Sequence, residues 1–316
     1  MLNNHLRIAF ISIAILFVFN LGQAFGQSAG HPPAEADAKS RLAASPRHGE
    51  WAVVDAGGGD KLDVWVSYPE RSDRAPVVLV VHEIFGLTDW IRSVADQLAA
   101  EGFIAVAPDF LSGKGPDGKG TSSVDADGAR ALIGKLERDE IVRRLNASVA
   151  YATSLPAARK QYAVLGFCWG GGISFMYATE QPNLGAAVVY YGTSPATETL
   201  QRIKAPVLGQ YGGNDARVNA TIPPAQAEMN RLGKKYEPEL FEGAGHAFLR
   251  VQDGQSGANL KATQKAWPRT VQFLKTSLGD AVSLDTGSAT TVAAAALDVD
   301  CVCDEDAAAF VAEAVW

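Results

Sequence analysis

The chain has 316 residues, 47% of them hydrophobic and 20% charged, with 31 glycines and 15 prolines. That is the composition of one globular α/β domain with additional segments at its ends. The net charge of −7 offers no basic footprint for a nucleic acid or an anionic membrane surface, which sets those partners aside.

In chain order, Arg7 precedes an apolar stretch from Ile8 to about Leu21, followed by small residues such as Ala24 and Gly26. This predicts a secretory signal peptide over residues 1–26 and an exported protein, periplasmic or secreted. The stretch is short for a membrane span, so no stable membrane insertion is expected once the signal is removed. Residues 27–47, rich in Ala, Pro and Ser, read as a linker. A domain is expected over residues 48–279. It opens with a hairpin, "WAVVDA" (51–56) and "KLDVWVSY" (61–68), around the turn "GGGD".

Six short apolar runs follow, at 76–82, 103–108, 162–167, 186–192, 205–212 and 237–243, with helical stretches at 90–101, 139–154, 171–180, 223–233 and 258–278. Nearly continuous apolar strands alternating with amphipathic helices predict an α/β fold, a mainly parallel sheet with helices on both faces. Only about a dozen residues, "TSPATETLQRIK", separate the run at 186–192 from the next, so no large cap domain is expected. Residues 280–316 carry a Ser/Thr/Ala stretch and an acidic cluster, the pattern of a flexible tail.

In a parallel sheet the chemistry sits at the carboxyl ends of the strands. The chain's three cysteines are Cys168, Cys301 and Cys303. Cys301 and Cys303 are too close together for an easy disulfide, which leaves Cys168 as either a buried filler or a working thiol. It follows the run at 162–167 directly, in the frame Gly166-Phe167-Cys168-Trp169-Gly170. This is a strand-to-helix nucleophile elbow with cysteine in place of serine. Asp215 follows the run at 205–212 and His246 the run at 237–243. The order nucleophile, acid, base is that of the α/β-hydrolase triad, in which His246 would be the general base and Asp215 would fix its tautomer. The backbone N–H groups of Ile84 and Trp169 are the expected oxyanion donors. His82, beside Glu83, reads as a packed strand-end residue.

Together "HEIFG" (82–86), "PDF" (108–110), "GFCWGG" (166–171), "GGND" (212–215) and "AGHAFLR" (244–250) are similar to the dienelactone hydrolase family, the cysteine branch of the α/β hydrolases. The resemblance covers about residues 50 to 279. It implies a Cys168–His246–Asp215 triad, with Glu83 matching the family glutamate that contacts the resting thiol. It also implies that Arg250 binds a substrate carboxylate. A second substrate-binding arginine has Arg130 as its nearest candidate. The activity so implied is hydrolysis of a small lactone or carboxylic ester through an acyl-thioenzyme, with a small-molecule substrate and neither metal nor organic cofactor. Two alternatives stand beside it. One is a broad short-chain esterase without a carboxylate requirement. The other is a non-catalytic binding or redox protein using the Cys301/Cys303 pair, which with no histidine nearby makes an incomplete metal site.

Overall fold

The computed structural model describes residues 30–279. The expected signal peptide and the tail with Cys301 and Cys303 lie outside the described residues. Eight strands form one sheet: β1 (Gly49–Asp55), β2 (Lys61–Ser67), β3 (Ala75–Val81), β4 (Ile104–Pro108), β5 (Ala158–Phe167), β6 (Ala186–Tyr190), β7 (Val207–Gly212) and β8 (Tyr236–Phe241). Their spatial order is β1-β2-β4-β3-β5-β6-β7-β8. The β1–β2 hairpin is antiparallel and β2 joins β4 antiparallel, whereas every other pairing is parallel. The carboxyl ends of β3, β5, β7 and β8 therefore open on one edge.

Strand β3, "APVVLVV", shows why the sheet is covered twice. Val77, Leu79 and Val81 face a core that includes Ile141, Phe175 and Met229, while Val78 and Val80 face one that includes Trp90, Val94 and Trp267. The two-residue period of a strand sends alternate side chains to opposite faces, and here both faces are apolar. The first face is covered by α4 (Arg138–Ser154), α5 (Trp169–Ala178) and α7 (Ile222–Arg231), the second by α2 (Asp89–Ala100) and α8 (Ala258–Ser277). Between β6 and β7 the chain makes only a short 3₁₀ turn at Thr197–Arg202, so no cap is built there, as the spacing implies.

Two segments differ from the sequence reading. Residues 30–47, expected as a linker, are built into the domain. Glu35–Ala43 form helix α1 with Ala38 buried. The backbone carbonyls of Gly30, Pro32 and Pro33 accept hydrogen bonds from Gln97, Gln252 and Trp90 at 2.7, 2.8 and 3.1 Å, and Arg47 forks onto Asp96. Such anchoring runs through main-chain oxygens that every residue possesses, so composition does not register it. The second segment is α3 (Ala126–Ile133), capped by Asp125, whose carboxylate accepts from the Gly128 N–H at 2.8 Å. It lies in the excursion between β4 and α4, where no element was read.

Candidate active site

The elbow after β5 forces Cys168 to φ 55° and ψ −114°, a region that side-chain-bearing residues rarely enter and that marks stored backbone strain. The glycines around it are there because backbone packs on backbone. A Cβ on Gly166 would come within 2.0 Å of the Gly170 carbonyl oxygen, and one on Gly170 within 2.3 Å of that of Val81. The elbow is held to the next strand by the Cys168 N–H, which donates to the Tyr190 carbonyl at 3.0 Å. Trp169 opens α5, and its backbone N–H faces the thiol. Among the described residues the Ile84 N–H has no recorded acceptor, so both expected oxyanion donors are uncommitted to secondary structure.

Asp215 caps the single-turn helix α6 (Ala216–Asn219). Its Oδ2 lies 2.5 Å from His246 Nδ1, and it is buried where the imidazole is partly open. The turn carrying His246 is fixed from below, since the Gly245 N–H donates to Asn259 and the Asn214 N–H to the Ala244 carbonyl, both at 2.9 Å. The Cys168 thiol makes no hydrogen bond to His246 in this state.

Glu83 sits at the end of β3, 3% exposed. Its carboxylate meets Arg250 Nε at 2.7 Å. The contact is off the line of the N–H, so it is an ion pair rather than a directed hydrogen bond. The same guanidinium reaches Glu35 of α1 at 2.5 Å. Burial raises the Glu83 carboxyl to about 7, against the pull of Arg250. Burial also raises the Cys168 thiol to about 11, and the Glu83 charge adds to it, as two like charges at short range require. The buried Glu83 Oε1 and Tyr191 hydroxyl have no hydrogen-bond partner among the described residues. His82 is the packed residue expected. Its Nε2 accepts from the Phe110 N–H at 3.1 Å and its Nδ1 faces the Glu83 carbonyl at 2.7 Å, which uses both nitrogens in the neutral form.

A cavity of about 550 Å³ opens in front of the elbow. Its wall includes Ile84, Cys168, Trp169, Tyr191, Arg138 and Arg217. Arg250 and Arg130 are not part of that wall. Both guanidinium groups lie over the Phe85 ring, at 5.1 and 5.9 Å from its centroid, and Arg130 pairs with Asp127 at 3.1 Å on the exposed face of α3.

Comparison with known proteins gives the family. The sequence signature described as "Dienelactone hydrolase family" matches residues 62–278, a span that covers the sheet from β2 onward and includes Cys168, Asp215 and His246. The chain belongs to the dienelactone hydrolase family. It is accordingly a hydrolase acting on ester or lactone bonds. A carboxymethylenebutenolidase of a Pseudomonas species is 31% identical over 230 residues, 72% of this chain and 94% of that protein. Two solved structures share the fold. A dienelactone hydrolase of Anabaena variabilis has 21% identity and a TM-score of 0.55, covering 73% of this chain and 99% of that one. A dienelactone hydrolase-like promiscuous phosphotriesterase from metagenomic libraries has 23% identity and a TM-score of 0.62, covering 73% and 98%.

Three residues around the site of this dienelactone hydrolase-family chain escaped the sequence reading. Tyr191 carries a positive φ of 39° directly after β6 and packs its ring at a tilt against His246, with centroids 5.1 Å apart. Its position at a strand end, the rule that found His246, was the available signal. Arg138, at the start of α4, and Arg217, in the one-turn α6, become cavity walls only through tertiary packing.

Proposed function

We propose that the chain hydrolyses a small lactone or short carboxylic ester through an acyl-thioenzyme on Cys168. The observation that carries this reading is a buried carboxylate, Asp215, 2.5 Å from His246 Nδ1, in a fold that also holds Cys168 strained on the wall of an open cavity. Asp215 holds Nδ1 as the protonated nitrogen, leaving Nε2 free to take the thiol proton. The thiolate adds to the substrate carbonyl, and the Ile84 and Trp169 amides stabilise the oxyanion. As the C–O bond breaks, His246 returns the proton to the leaving alkoxide or enolate, and a thioester remains. Water, deprotonated by His246, then attacks the thioester. The carboxylic acid departs and the proton goes back to the thiol.

Burial, with the Glu83 charge adding to it, keeps the thiol protonated at rest, the thiol at about 11 and the Glu83 carboxyl at about 7. In an oxidising compartment the Cys168 thiol is thereby shielded from oxidation, which proceeds from thiolate. The N-terminal segment supports an exported protein, a proposal checked by N-terminal sequencing of the protein recovered from the periplasm or medium.

The test is turnover of a carboxylate-bearing dienelactone and of a neutral short aryl ester by wild type, Cys168→Ala and Asp215→Asn, with mass spectrometry of the quenched enzyme. Cys168→Ala is expected to lose essentially all turnover and Asp215→Asn about 10³- to 10⁴-fold. An acyl adduct should appear on Cys168. Unimpaired hydrolysis by Cys168→Ala refutes the mechanism. The cavity volume favours short acyl groups, so long-chain acyl esters are expected to be poor substrates.

A further inference from the structure

Family resemblance directs attention to Arg250 for an anionic substrate group, yet that guanidinium is engaged by two carboxylates of the protein itself, Glu83 at 2.7 Å and Glu35 at 2.5 Å. With both ionised the trio carries a net charge of −1, which repels an anion. Arg130 is paired with Asp127, and neither arginine lines the cavity in front of Cys168. Arg138 does line it, but is ion-paired to Glu180. Arg217 differs on each count. It is on the cavity wall, and among the described residues it has no ion-pair or hydrogen-bond partner. Its backbone is fixed two residues beyond Asp215, which caps α6 and also holds His246.

We propose that Arg217 is the specificity-determining residue of this hydrolase: it binds a carboxylate carried on the acyl part of the ester or lactone, in the cavity that Cys168 also lines. The assignment rests on the thioester reading above. An arginine without a partner presents its whole fork of N–H donors to a carboxylate, whereas an already paired one must first give up a bond. Arg217 also acts on the thiol through space, opposing the rise that burial and Glu83 impose. An anion that neutralises Arg217 would therefore bind in the acyl subsite without drawing Arg250 off Glu83.

The experiment compares mono-4-nitrophenyl adipate, which has a free carboxylate, with neutral 4-nitrophenyl hexanoate of the same chain length. The readout is the ratio of their kcat/KM values. Arg217→Gln is expected to lower that ratio about 10- to 100-fold, chiefly through KM for the adipate. Arg217→Lys should recover part of it, and Arg130→Gln should leave it within about two-fold. Because Arg217 is exposed, the wild-type ratio should also shrink as salt rises from about 50 to about 500 mM, a test that needs no variant. A ratio unchanged in Arg217→Gln or insensitive to salt, in protein that still turns over the hexanoate, overturns the assignment. A larger drop in Arg130→Gln than in Arg217→Gln does the same. If wild type hydrolyses neither ester, or Cys168→Ala hydrolyses both as fast as wild type, the thioester reading itself fails and takes the assignment with it.

Discussion

Glu83 concentrates the energetics of the site in one side chain. In the unfolded chain its carboxyl titrates near the ordinary 4.5, and in the fold near 7, so between those pH values the fold holds a proton that the unfolded chain has released. Its stabilising contribution is complete below about pH 4.5 and is lost as pH rises through about 7. Between pH 5 and 8, chemical denaturation should therefore show wild type losing roughly 3 kcal/mol relative to Glu83→Gln. The same substitution removes a negative charge near the thiol. Iodoacetamide titration should place the Cys168 pKa of Glu83→Gln below that of wild type, with alkylation at pH 8 faster by about 3- to 10-fold. An equal or higher thiol pKa in the variant contradicts the role given to Glu83.

At the scale of elements, what the sequence disclosed follows from which forces act locally. The strands were legible because continuous Val/Ile/Ala runs such as β3 and β6 have one stable use, the doubly covered sheet. The places of Cys168, Asp215 and His246 at strand ends, with Asp215 against His246, were legible because the strands themselves were. Helix α3 went unread although Asp125 caps it, since its single turn of buried contact, Ala129 and Ile133, leaves too short a pattern. Long-range pairing is similarly invisible. Arg144 of α4, 2% exposed, forks onto Asp60 in the β1–β2 turn and donates to the Phe110 and Ser112 carbonyls at 2.7 and 3.0 Å. That one side chain ties the hairpin turn to the loop after β4. Phe110 in that loop packs edge-on against Trp169. Arg144→Ala leaves Asp60 with only Arg143, and should cost about 3–5 kcal/mol in equilibrium unfolding.

For the molecule as a whole, the N-terminal segment is the main departure from expectation. Residues 30–47 look like solvent-facing chain because most of their side chains are, yet they close over Trp90 and reach Arg250 through Glu35. Deleting residues up to Ala43 removes the five hydrogen bonds that tie residues 30–43 to the rest of the domain and the cover of a buried tryptophan. The melting temperature of the shortened protein should fall by roughly 5–10 °C. If residues 30–47 were a true linker it would not move. With Glu35 gone, Arg250 retains only Glu83, and the shortened protein should also show a lower Glu83 pKa, because the Glu35 charge raises it.

The asymmetry of the cavity wall has a practical side. Behind the elbow that carries Cys168, Gly166, Gly170, Gly171 and Gly192 pack against main-chain atoms so tightly that even a methyl group has nowhere to go. Beyond Gly192, Thr193, Ser194, Pro195, Ala196 and Thr199 belong to the short crossover between β6 and β7, outside the hydrogen-bond ladder of the sheet. A library meant to redirect this catalyst toward bulkier acids should randomise that crossover and leave the glycines alone, because one side of the pocket is scaffold and the other is free to evolve.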